Sequence, residues 1–63
     1  MKISDSTVLI TGANNGLGYE TARYFGAHGA HVILTSRSLE RGNKAVSAIL
    51  AESPLAKLTL VSL

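Results

Sequence analysis

Three short runs of apolar and β-branched residues, separated by two stretches with helical spacing, constrain this chain more than any other feature in it. Thr7-Val8-Leu9-Ile10-Thr11, His31-Val32-Ile33-Leu34-Thr35 and Lys57-Leu58-Thr59-Leu60-Val61-Ser62-Leu63 read as strands. A helix is expected from Leu17 to about His28, with Gly26 weakening it by ~1 kcal/mol relative to Ala and Gly29 as its C-terminal cap. Ser38 is suited to cap a second helix that runs to about Glu52. The apolar stripe of that helix is Leu39, Ala45 or Val46, Ile49 and Leu50, and Pro54 stands where the chain must leave it. Strand, helix, strand, helix, strand with short links predicts parallel crossovers.

The strands are apolar on both sides. Val8 and Ile10 oppose Leu9, Val32 and Leu34 oppose Ile33, and Leu58 and Leu60 oppose Val61. That pattern belongs to a parallel sheet covered on both faces. Two helices in such a unit lie on one face only. The other face and the free edge of the first strand then need the remainder of a domain, or a partner chain, to cover them. The expected class is α/β, the first β-α-β-α-β half of a doubly wound parallel sheet.

Size and composition narrow the function. With 63 residues, one domain is the ceiling. A chain this short buries only about 60% of its extended surface, and it has no Cys to staple it. An incomplete, amino-terminal piece of a larger domain is therefore expected over residues 1–63. The net charge is +2, and Lys2, Arg23, Arg37, Arg41, Lys44 and Lys57 are scattered, so no nucleic-acid footprint is formed. No apolar run approaches the ~20 residues that span a bilayer. No signal-peptide core follows Met1. A cytoplasmic location is the default expectation.

The chemistry lies in the turn after the first strand. Glycine stands at 12, 16 and 18, between a strand and a helix. Gly12 permits a tight exit from the strand. Gly16 leaves room for a diphosphate to approach the backbone, and Gly18 lets helix and strand pack closely. Free amides and the positive end of the helix dipole would hold the anion. Asn14 and Asn15 suit a turn. The spacing is Gly-x-x-x-Gly-x-Gly, and no Lys-Ser or Lys-Thr follows the last glycine, which excludes a P-loop.

Thr11-Gly12-Ala13-Asn14-Asn15-Gly16-Leu17-Gly18 resembles the Thr-Gly-x-x-x-Gly-x-Gly signature of the short-chain dehydrogenase/reductase family in full. The resemblance continues through Glu20-Thr21-Ala22, Gly29-Ala30-His31-Val32-Ile33-Leu34, Ser36-Arg37 and the third strand. It looks most like the retinol-dehydrogenase or protochlorophyllide-reductase branch. It implies a Rossmann fold, and hydride transfer between a nicotinamide cofactor and a small-molecule carbonyl or alcohol. It also implies contact between Leu17 and the nicotinamide end.

An NAD site needs a carboxylate about 20 residues past the glycines. None occurs between Glu20 and Glu40, and Ser36-Arg37 stands at the end of the second strand. A guanidinium there suits a 2′-phosphate. NADP(H) is therefore expected over NAD(H), with Arg37 as the principal contact and Ser36 and Asn15 as neutral donors. The family places a basic residue before the second glycine in many NADP users, and Asn15 departs from that. The cofactor-binding set expected from the sequence is thus Gly12, Asn14, Asn15, Gly16, Leu17, Gly18, Ser36 and Arg37.

The proton chemistry of the family is done by a Tyr-x-x-x-Lys pair and a Ser. Tyr19 and Tyr24 have no Lys four residues on, and no Ser has a supporting His or Asp. His28 and His31 lack a third ligand for a metal. No catalytic residue is assigned in this chain. Two readings remain: the nucleotide-binding segment of an oxidoreductase, or a noncatalytic nucleotide-binding or protein-interaction module. A methyltransferase, which uses a similar glycine turn, is disfavoured by the 12/16/18 spacing and by the missing acid after the second strand.

Overall fold

A computed structural model of the chain describes residues 2–12 and 16–62. After a single 3-10 turn over Ile3–Asp5, the elements are β1 (Thr7–Thr11), α1 (Gly16–Ala27), β2 (His31–Ser36), α2 (Leu39–Glu52) and β3 (Lys57–Ser62). The strands form one parallel sheet in the order β1-β2-β3. Thr11 pairs with Thr35 and Thr35 with Val61, so the carboxyl ends of all three strands lie together. The α/β architecture expected from the alternation is the one found. β2 continues one residue further than its apolar run because Ser36 pairs with Ser62. Leu63, the expected last residue of the third strand, is outside the described residues.

Each helix ends for a visible reason. Gly29 has φ +88°, its amide donates to the Gly26 carbonyl at 3.2 Å, and the Ala30 amide donates to the Phe25 carbonyl at 3.1 Å. These two bonds make a Schellman cap. Ser38 caps α2 by accepting from the Arg41 amide at 3.2 Å. At the far end, the Ser53 amide returns to the Ile49 carbonyl before Pro54 turns the chain away.

The core lies between the sheet and the two helices. Ile10, Val32 and Leu34 meet Ala22 and Ile49, with Val8, Tyr19, Phe25, Val46, Leu58 and Leu60 packed around them. Both helices share one face: a Cβ on Gly26 of α1 would stand 3.5 Å from the Ile49 Cγ2 of α2. The buried stripe of α2 is Gly42, Ala45 and Ile49. Leu39, placed on that stripe by its spacing, is exposed instead, because Gly42 is the residue that meets β3. On the opposite sheet face, Leu9 is 65% and Val61 40% exposed, with Ile33 half-buried between the strands that carry them. The alternation read from the strands therefore holds, and the second apolar face is bare.

Candidate functional site

The site is built at the carboxyl edge of the sheet, where open α/β sheets place their ligands. β1 ends at Gly12, whose φ of +65° lies in the left-handed region. A side chain would be strained there. The Gly12 amide donates to the Thr35 carbonyl at 3.2 Å, which fixes the exit of β1 against the end of β2. Ala13, Asn14 and Asn15 lie outside the described residues, so the expected contributions of Asn14 and Asn15 do too.

The chain re-enters regular structure at Gly16, the first residue of α1. A Cβ built on Gly16 would meet nothing within 4 Å among the described residues. The first turn of α1 contains no acidic residue, and its positive dipole end is left uncompensated from within the helix. α2 is different: Ser38 occupies its cap and Glu40 its first turn. The two helix starts thus differ in the charge of their first turns. Leu17 follows at 83% exposure, with Gly18 half-buried behind it.

The second part of the site is the β2–α2 turn. Ser36 is buried, at 4% exposure. Its hydroxyl donates to the Ser38 carbonyl at 2.9 Å and accepts from the Ser38 amide at 3.2 Å. Arg37, between them, is exposed. No carboxylate of β2 or of the turn stands beside it. The sheet register brings Gly12 and the Ser36–Arg37 turn to adjacent strand ends, so the two halves of the expected set share one edge.

Two features escaped the sequence reading. The Thr35 hydroxyl, on a residue 6% exposed, is buried without a hydrogen-bond partner among the described residues. Gly42 sits so near β3 that a Cβ would stand 2.7 Å from Leu60 Cδ1 and 3.3 Å from Ser36 Cβ. A glycine inside a helical stretch is the only sequence signal that could have pointed to it.

The histidines are engaged separately: His28 Nδ1 is 2.7 Å from the Tyr24 carbonyl, and His31 Nε2 is 2.8 Å from Thr59 Oγ1. Arg23 on α1 bonds Glu20 at 2.7 Å and Glu52 of α2 at 3.4 Å. The hydrogen bond that Arg23 donates to Glu20, then the Glu20 charge, and then Glu52 raise the Arg23 pKa above its ordinary value. This cluster lines a shallow groove along the outer side of α1, away from the strand ends. No helix among the described residues is long and apolar enough to cross a membrane.

The profile of the short chain dehydrogenase family matches residues 6–62. The chain is 48% identical over 61 residues to the WW domain-containing oxidoreductase of Danio rerio, covering 97% of this chain and 15% of that protein. Among solved structures it resembles levodione reductase, with a TM-score of 0.84 and 36% identity over 92% of this chain and 22% of that one. It also resembles the L-sorbose reductase of Gluconobacter frateurii, solved with NADPH and L-sorbose, with a TM-score of 0.81 and 26% identity over the same two shares. The chain therefore spans less than a quarter of the length of these relatives.

Proposed function

We propose, for a chain that belongs to the short-chain dehydrogenase family, that it is the NADP(H)-binding segment of an oxidoreductase acting on a carbonyl or alcohol. The glycine turn takes the pyrophosphate and Arg37 takes the 2′-phosphate. The observation that carries this reading is the free space beside Gly16 Cα, at the start of a helix without first-turn acids, on the same sheet edge as an exposed arginine. That donor set fits a dinucleotide. Amides and a helix dipole suit a doubly charged linker, and an arginine whose strand and turn carry no carboxylate suits a further phosphate. The solved L-sorbose reductase, a neighbour by fold, holds NADPH.

When bound, the nicotinamide supplies or accepts the hydride. What this chain contributes is binding and orientation. Gly12 turns the chain out of β1. Gly16 leaves the approach clear, Gly18 seats the helix, Leu17 offers an apolar contact at the nicotinamide end, and Arg37 reads the ribose substituent, with Ser36 bonded behind it to the Ser38 backbone. No Tyr-x-x-x-Lys pair is present in the sequence, so the 63 residues by themselves do not reduce a carbonyl. The bare face at Leu9 and Val61 is covered by the remainder of the domain. A second reading, a noncatalytic module whose bare face takes a partner chain, draws on the same exposed residues.

Titration calorimetry with NADP⁺ and NAD⁺ tests the proposal. The expected result is tighter binding of NADP⁺, inverted by Arg37→Asp. An affinity ratio that Arg37→Asp leaves unchanged overturns the cofactor assignment.

A further inference from the structure

The Ser36 hydroxyl is buried and turned onto the backbone. It gives its proton to the Ser38 carbonyl and takes one from the Ser38 amide, closing a ring around a single intervening residue, Arg37. The same Ser38 carbonyl accepts the Gly42 amide at 2.9 Å, the first hydrogen bond of α2. The Ser38 hydroxyl accepts from Arg41. On its other side Ser36 packs against α2, where a Cβ on Gly42 would stand 3.3 Å from the Ser36 Cβ. The end of β2, the turn and the first turn of α2 are thus tied by one short series of hydrogen bonds, and Arg37, held between Ser36 and Ser38, has an exposed side chain.

We infer that Ser36 is a positioning residue for cofactor choice: its hydroxyl clamps the β2–α2 turn so that the Arg37 guanidinium is presented to the 2′-phosphate in a fixed direction. This deepens the reading of the site given above and rests on it. Arginine has a large rotamer freedom to lose and delivers its strength only in a two-bond, planar approach. A turn held at both ends lowers the ordering that binding would otherwise require. Ser36 acts through Arg37, and its effect is confined to nucleotides that carry the extra phosphate.

The test is a double-mutant cycle in the protein as its own gene encodes it, read as the ratio of NAD⁺ to NADP⁺ dissociation constants. Ser36→Ala is expected to lower that ratio roughly tenfold, with little change in NAD⁺ affinity, as expected of one lost contact to a charged group's support. Arg37→Ala is expected to lower it further. Ser36→Ala added to Arg37→Ala is expected to change nothing more, which a general loss of structure would not produce. Should Ser36→Ala fail to fold by circular dichroism, Ser36→Thr keeps the hydroxyl and is expected to hold the ratio within about threefold.

An unchanged ratio in Ser36→Ala, beside a clear loss in Arg37→Ala, overturns this inference and leaves the cofactor reading standing. A further loss in the Arg37→Ala background also overturns it, since Ser36 would then touch the phosphate itself. A wild-type protein without preference for NADP⁺ removes the cofactor reading, and the inference with it.

Discussion

Gly42 and Leu60 are pressed together: a methyl group on the glycine would stand 2.7 Å from one terminal carbon of the leucine and 3.0 Å from the other. Gly26, also inside a helix, has its nearest neighbours at an ordinary 3.5 Å. The two glycines therefore predict opposite signs. Gly26→Ala gains helix propensity of up to about 1 kcal/mol without a clash. Gly42→Ala gains the same propensity but overpacks the α2–β3 contact by about 1–3 kcal/mol. The net expectation is a higher urea midpoint for Gly26→Ala and a lower one for Gly42→Ala. A raised midpoint in both would show that Leu60 yields freely.

Gly29 lies at φ +88°, with Ser4 Cβ 3.2 Å from where its own Cβ would be. Gly29→Ala is expected to destabilise by about 1–2 kcal/mol from the left-handed backbone alone. The loss is to be read as a lowered thermal midpoint. A midpoint equal to that of the wild type would mean that the cap relaxes without penalty.

Ser38 offers a way to separate capping from cofactor choice. Ser38→Ala removes the cap on Arg41 and is expected to lose about 1 kcal/mol. Ser38→Asp keeps a cap and adds charge favourable to the helix dipole, so stability is expected to be retained. The new carboxylate next to Arg37 opposes a 2′-phosphate, and NADP⁺ affinity is expected to fall while NAD⁺ affinity holds. Calorimetry on both nucleotides checks this, and an equal fall in both affinities would contradict it.

Leu9 reports on the bare face. In the isolated 63 residues, where it is mostly exposed, Leu9→Ala is expected to shift stability by no more than about 0.5 kcal/mol. In a protein whose remaining domain covers that face, the same change is expected to cost about 2–4 kcal/mol. Chemical denaturation of the two forms supplies the comparison. Small effects in both would mean that Leu9 remains in water.

The residues that punctuate the chain made most of the fold legible. Gly29 and Ser38 mark helix ends by chemistry that is local, and the alternation around Leu9, Ile33 and Val61 announces two apolar sheet faces before any packing is known. What escaped was set by neighbours distant in sequence. Leu39 has the right spacing for the α2 stripe, yet the stripe begins at Gly42 because Leu60 and Ser36 reach that point from β3 and β2. Gly26 reads locally as a helix weakness, and only the packing shows that a Cβ there would meet Ile49 and Leu58 at an ordinary 3.5 Å. At the site, Gly12 and Arg37 could be placed by motif and by the missing carboxylate. The direction of the Ser36 hydroxyl could not, since it depends on how the backbone folds back two residues later.

The carbonyl of Thr35, which receives the Gly12 amide, belongs to the same planar peptide group as the amide of Ser36. One rigid plate therefore separates the β1 exit from the β2–α2 corner. A tilt of that plate moves the acceptor of the Gly12 amide and the Ser36 nitrogen together. A substitution that moves the β1 exit is consequently expected to move the β2–α2 corner as well.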